Sequence, residues 1–181
     1  MGLKSITEKS GIYFITPTVV DWVDVFTKPV YKNLIIESLQ FCQREKGLTI
    51  YAWVIMTNHL HLVVSAKEGF DLAAILRDFK KYTSKQIIHT LQQENESRKT
   101  WMLNRFEYAG KNDSKIKNYK FWQDGNEPKP VYSSEFMKQK IDYIHQNPIK
   151  AEIVNEAEHY RYSSAIDYAG GKGLLDVYLA W

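Results

Sequence analysis

Apolar residues along the chain switch between a spacing of two and a spacing of three to four, which divides it into strands and helices. Gly11-Ile-Tyr-Phe-Ile-Thr-Pro-Thr-Val-Val20 is rich in β-branched and aromatic residues and predicts a strand. Pro29 to Glu45 predicts a helix, with Ile35, Leu39 and Cys42 on one face, Thr27 as cap and Gly47 as stop. Leu48 to Met56 and His59 to Ser65 predict two strands joined by a tight turn at Thr57-Asn58. Asp71 opens a long amphipathic helix to about Gln93, with Leu72, Ile75, Leu76, Phe79, Tyr82 and Ile87 as its apolar stripe. Arg77, Lys81 and Lys85 stand four apart on another face of it.

Residues 94 to 118 are polar and predict an irregular segment. Tyr119 to Gln123 predicts a short strand, and Asp124-Gly-Asn-Glu-Pro-Lys-Pro130 carries turn chemistry. Glu135 to Gln146 predicts a helix that stops near Asn147-Pro148, because a residue before proline disfavours helical geometry. The tail, with Tyr160, Tyr162, Tyr168, Tyr178 and Trp181, is aromatic enough to pack across the body. The order β-α-β-β-α-β plus a later helix predicts an α+β, ferredoxin-like fold: an antiparallel sheet with helices packed on one face. At 181 residues this is one domain, residues 1–181, with 160–181 as a C-terminal extension.

Charge changes the picture locally. The net charge is only +3, but Arg77 to Lys120 holds 11 Lys/Arg against 5 Asp/Glu, leaving −3 for the remainder. Such a run suits a polyanionic partner, although a solvated helix face followed by a lysine-rich loop has the same pattern. No run approaches the length of about 18 apolar residues that a membrane span needs. Met1-Gly-Leu-Lys-Ser-Ile-Thr-Glu8 lacks a secretory layout, and Cys42 is the only cysteine. A cytoplasmic protein is expected.

His59-Leu60-His61 opens a predicted strand, where residues two apart share a face. Both imidazoles therefore reach one site, as a metal platform or as two structural strand histidines with backbone partners. Tyr143 and Asn147 stand four apart on one helix face. A phenol can attack phosphorus and an amide oxygen can ligate a metal, but a tyrosine on an amphipathic helix is equally a packing residue. With 12 tyrosines in the chain, context alone selects Tyr143.

Trp53-Val-Ile-Met-Thr-Asn-His-Leu-His-Leu-Val-Val64 resembles the signature of the REP-associated tyrosine transposases, small single-tyrosine members of the HUH endonuclease superfamily. Asp142-Tyr-Ile-His-Gln-Asn-Pro-Ile-Lys-Ala-Glu-Ile-Val154 is similar to that family's second signature. Phe121-Trp-Gln123 and Tyr160-Arg-Tyr-Ser-Ser-Ala165 resemble the third and fourth, and all four occur in the family's order.

The resemblance implies a DNA transposase that cleaves and rejoins single-stranded DNA near hairpins. Tyr143 would be the nucleophile that joins a 5′ phosphate, and His59, His61 and Asn147 would hold one Mg²⁺ or Mn²⁺. Lys80, Lys81, Lys85 and Lys150, with Trp122 as a stacking or pocket residue, are the candidate DNA-binding groups. A monomer or a homodimer is compatible with the family. The alternative is a non-catalytic, domesticated nucleic-acid-binding protein of the same fold. Two departures from the family stand out: Thr57 replaces a usual proline, which predicts a looser turn before His59. Glu152 replaces a usual glycine, which predicts an altered turn after the tyrosine helix.

Overall fold

The computed structural model describes residues 11–111, 113, 118–125 and 127–180. The readings of Met1 to Glu8, of Lys115 and Lys117 in the basic run, and of Trp181 fall outside them. Four strands, β1 (Tyr13–Ile15), β2 (Leu48–Ile55), β3 (Leu60–Ala66) and β4 (Lys129–Pro130), form one antiparallel sheet in the order β2-β3-β1-β4. Helix α1 (Pro29–Glu45) follows β1 and α2 (Leu72–Gln93) follows β3. This is the ferredoxin-like α+β arrangement. Beyond it lie α3 (Lys99–Lys111) and α4 (Ser134–Lys150).

The first strand is shorter than its composition predicts, because Pro17 has no N–H to give to the ladder. The chain nevertheless stays extended, with bridges from Thr18 to His59 and from Val19 to Trp122. The segment expected as a last strand, Tyr119 to Gln123, thus pairs with the continuation of β1, while the fourth strand falls in the expected turn. Helix α1 begins at Pro29 without a side-chain cap. The Thr27 hydroxyl instead accepts from the Arg98 guanidinium at 3.0 Å. Asp71 caps α2, accepting from the amides of Ala73 and Ala74.

In α2 the apolar stripe runs Leu72, Ile75, Leu76, Phe79, Thr83 and Ile87, while Tyr82 is 55% exposed. After Phe79 the stripe advances by four residues rather than three. Buried Thr83 is tolerated because its hydroxyl donates to the Phe79 carbonyl and accepts from the Trp122 indole at 3.0 Å. Residues 99 to 111, expected to be irregular, are helical. Met102 and Phe106, four apart, are buried and anchor α3 despite its polar composition.

Strand register sorts the sheet into two faces. Phe14 pairs with Val63 and His61 with Val54, so these side chains share one face. Tyr13, Ile15, Leu62, Val64 and Trp53 share the other, where α1 and α2 pack against each other. Helix α4 crosses the first face, burying Met137, Ile141, Ile144, His145 and Pro148. The aromatic tail closes the outer edge of β2. Ile55 N–H donates to the Tyr162 carbonyl and Ser164 N–H to the Trp53 carbonyl, each at 2.9 Å. Covering an edge in this way removes a template for pairing with other chains.

Helix α4 runs through Asn147-Pro148 instead of stopping there. Packing of Pro148 into the core outweighs the local preference against it. The helix ends at Ala151 in a Schellman turn, with Ile153 N–H on the Pro148 carbonyl and Glu152 N–H on the Ile149 carbonyl, both 2.9 Å. Glu152 has φ +57°, so the left-handed geometry that favours glycine is kept without the glycine. The expected change in this turn does not occur; the backbone carries strain instead. Glu152→Gly should therefore stabilise the protein by about 1 kcal/mol, after allowing for glycine's extra chain entropy. A urea midpoint that does not rise would show that the turn is unstrained.

Candidate active site

The site is assembled by β3 and α4. His59 and His61 flank Leu60, whose side chain is fully buried on the opposite face. Their ring centroids are 4.7 Å apart. The Tyr143 ring stands 5.1 Å from His61, edge to face, and Phe14 stacks on His61 at 5.4 Å while also meeting the Tyr143 ring at 6.0 Å. Two histidines from a strand and one tyrosine from a helix thus converge within a single chain. Tyr143 is 40% exposed, so a large substrate can reach its hydroxyl.

The turn before His59 is firmly held, contrary to the expectation from Thr57. Met56 N–H donates to the His59 carbonyl, Phe26 N–H to Thr57 and Val19 N–H to Asn58, at 2.8–2.9 Å. The Asn58 amide donates to the Asp24 carboxylate at 2.8 Å and to the Trp22 carbonyl at 3.2 Å. Its oxygen therefore faces His59 as an acceptor, 2.7 Å from Nδ1. That makes His59 Nδ1 the donor and leaves Nε2 with its lone pair. In the same way the Thr16 hydroxyl engages His61 Nδ1 at 2.8 Å, so Nε2 is the remaining nitrogen of this ring too. Outer hydrogen bonds of this kind fix the rings of metal-binding histidines.

Electrostatics keep both rings neutral. Burial pushes His61 down to about 3, reinforced by His59 and Lys140. Burial also lowers His59, opposed by the Asp24 carboxylate. Neutral imidazoles are the ligating form. Among the described residues no group of three or more His, Cys, Asp and Glu side chains could hold a metal. A third protein ligand would have to be of another type. Asn147 is one turn from Tyr143, and its amide nitrogen donates to the Tyr143 carbonyl at 2.7 Å. The oxygen is the end left to accept or ligate, yet Asn147 hydrogen-bonds to neither imidazole.

The remaining candidates scatter. Trp122 is 6% exposed and packs among Phe26, Phe79 and Phe121, so it is a core residue and cannot stack on a base. Lys81 and Lys85 are exposed on α2 and Lys80 is half-buried there, on the helical layer across the sheet from Tyr143. Lys150 does stand at the site, with Nζ 5.9 Å from the Tyr143 ring centre. Lys140, which sequence reading missed, lies 5.8 Å from that centre and 4.9 Å from that of Phe14. Its position three residues before Tyr143 on one helix was the available signal. His145 points away from the site, to the Ser164 hydroxyl at 2.9 Å.

A ferredoxin-like sheet thus presents two ring-anchored histidines to an exposed tyrosine. Residues 15–120 match the family described as "Transposase IS200 like", and the chain belongs to that family. It is 24% identical over 157 residues to a Haemophilus influenzae protein named as a REP-associated tyrosine transposase, covering 86% of this chain and 80% of that one. Its fold is similar to that of a REP-associated tyrosine transposase solved bound to a REP hairpin. The TM-score is 0.61 at 20% identity, over 98% of this chain and 92% of the other. A transposase structure from Deinococcus radiodurans gives a TM-score of 0.46 at 14% identity, over 81% and 97%. Among the described residues no helix is long and apolar enough to cross a membrane.

The buried neutral histidines carry a stability consequence. A histidine held below its unfolded value binds its proton more readily in the unfolded chain, so stability is present above about pH 6.5 and is lost as pH falls. Burial lowers His145 to about 4 in addition to His61. Each should cost about 2 kcal/mol between pH 7.5 and pH 5. Urea denaturation at the two pH values should show this loss, and His145→Gln should reduce it by its own share. An unchanged pH slope in that variant would show that His145 titrates normally.

Proposed function

We propose that the protein cleaves and rejoins single-stranded DNA through a covalent bond between Tyr143 and a 5′ phosphate. The observation that carries this reading is the meeting of Tyr143 with His61 and His59 inside one chain. The Tyr143 hydroxyl gives up its proton as its oxygen attacks phosphorus, the bond to the 3′ oxygen breaks, and that oxygen takes up a proton to leave as a free 3′ hydroxyl. A later attack by a 3′ hydroxyl on the phosphotyrosine reverses the exchange, conserving one ester bond throughout. No ATP is required. Lys140 and Lys150, whose ammonium groups approach the Tyr143 ring, offset the charge of the incoming phosphate.

The donor types suit one divalent ion, Mg²⁺ or Mn²⁺, which His59 and His61 would hold through Nε2 and Asn147 through its amide oxygen. Such an ion, when bound, would polarise the scissile phosphate. Asn58 acts one layer out, holding His59 in the tautomer that presents Nε2. Hairpin DNA is the substrate this reading assigns, in keeping with the hairpin bound by the structural relative. The meeting of tyrosine and histidines within one chain supports cleavage by a single protomer.

Tyr143→Phe should abolish a denaturation-resistant protein–DNA adduct on a hairpin substrate while leaving DNA binding intact. Adduct formation at the wild-type level in this variant would remove Tyr143 from the reaction. Asn58→Ala should raise the metal concentration for half-maximal cleavage by about 10- to 100-fold, as the loss of an outer partner does elsewhere. An unaltered metal titration would show that Asn58 does not position the ligand.

A further inference from the structure

Beside His59 the chain does something costly. Asp21 and Trp22 follow each other with φ of 52° and 54°, in the left-handed region that bulky side chains rarely enter. The outcome is an exposed indole: Trp22 is 57% accessible, and its ring lies 5.9 Å from that of His59, edge to face. More than half of Trp22 is thus left open to a ligand beside His59. Strain of this type is retained where the surrounding structure over-determines it, often at ligand-binding positions.

Trp22 is also joined to α3. The Arg105 guanidinium lies 3.9 Å from the Asp21 carboxylate and 5.9 Å from the centre of the Trp101 ring, and Trp101 is 48% exposed. Trp101 and Arg105 are four apart on α3 and share a face. The connection is rigid: Arg98, just before α3, donates to the Asp24 carbonyl at 3.2 Å and to Thr27 at 3.0 Å. Buried Glu96 ties Lys28 to Arg98. The segment bearing Trp22 and the helix bearing Trp101 are thereby locked together.

We propose that Trp22, Trp101 and Arg105 form a base-stacking track that holds unpaired nucleotides of the substrate strand beside the scissile phosphate, on the His59 side of the site. Aromatic faces and a guanidinium plane accept any base. Asp21 would repel a phosphate, so the track grips bases and leaves the sugar–phosphate backbone facing solvent. The proposal rests on the reading of Tyr143 and the histidines as the cleavage site, which supplies the strand's direction of approach.

The test uses Tyr143→Phe protein, so that binding is read without chemistry, and a fluorescent hairpin bearing a single-stranded tail. Trp22→Ala should weaken binding to this probe by about tenfold or more, as the loss of one stacked base predicts. Trp22→Phe should recover most of the loss, and Trp101→Ala should produce a loss of its own. The salt dependence should stay the same, since no phosphate contact is removed. Tails carrying one abasic site at each position in turn should reveal a position whose removal weakens the Trp22 protein but not Trp22→Ala. Unchanged affinity in Trp22→Ala and Trp101→Ala, or abasic effects that add to Trp22→Ala at every position, would overturn the track. The cleavage reading fails separately, by the absence of an adduct in the wild-type protein.

Discussion

The placement of α4 on the sheet is the constraint from which the site follows. A tyrosine on a helix and a histidine on a strand come from segments about 80 residues apart, and neither controls the other locally. Burial of Ile141 and Ile144 drives the helix onto the face that carries Val54 and Val63, at about 1.5–3 kcal/mol for each large side chain. The clamp from His145 to Ser164, whose hydroxyl also accepts the Trp53 amide at 2.9 Å, ties helix, tail and β2 together. With the helix held in this way, its periodicity leaves Tyr143 at the edge of the buried stripe, where it touches His61 and still meets solvent.

The histidines are set by a different rule. Alternation along β3 sends His59 and His61 to the α4 side and Leu60 to the core. The side-chain partners Asn58 and Thr16 then occupy one nitrogen of each ring. In this division of labour, packing places the tyrosine and short polar contacts orient the histidines. The rings stay neutral because burial disfavours the imidazolium, and at His61 the nearby Lys140 does so too.

Much of this was legible in the sequence, for identifiable reasons. The two histidines share a face because a strand repeats every two residues, and Asp71 caps α2 because its carboxylate can reach the amides of Ala73 and Ala74. Local signals failed where tertiary packing decided. Trp122 sits in the core because Thr83 supplies a partner for its indole, a pairing across 39 residues that no local pattern encodes. Pro148 remains within α4 because it is buried, against its local tendency to end a helix. Polar residues mask helix α3, and with it the shared face of Trp101 and Arg105, although Met102 and Phe106 carry its signal. Trp22 was illegible for a further reason: positive φ at two successive non-glycine residues is not written in residue type.

The central claim is that Tyr143, among 12 tyrosines, carries the DNA. Trypsin cutting after Lys140 and Lys150 would release residues 141–150, in which Tyr143 is the only tyrosine. The most direct measurement is mass spectrometry of this peptide after incubation with a hairpin substrate and Mg²⁺ or Mn²⁺, followed by nuclease trimming. The account predicts a nucleotide joined through its 5′ phosphate to the Tyr143 peptide. A covalent nucleotide on any other peptide, or cleaved DNA with no modified peptide, would contradict it.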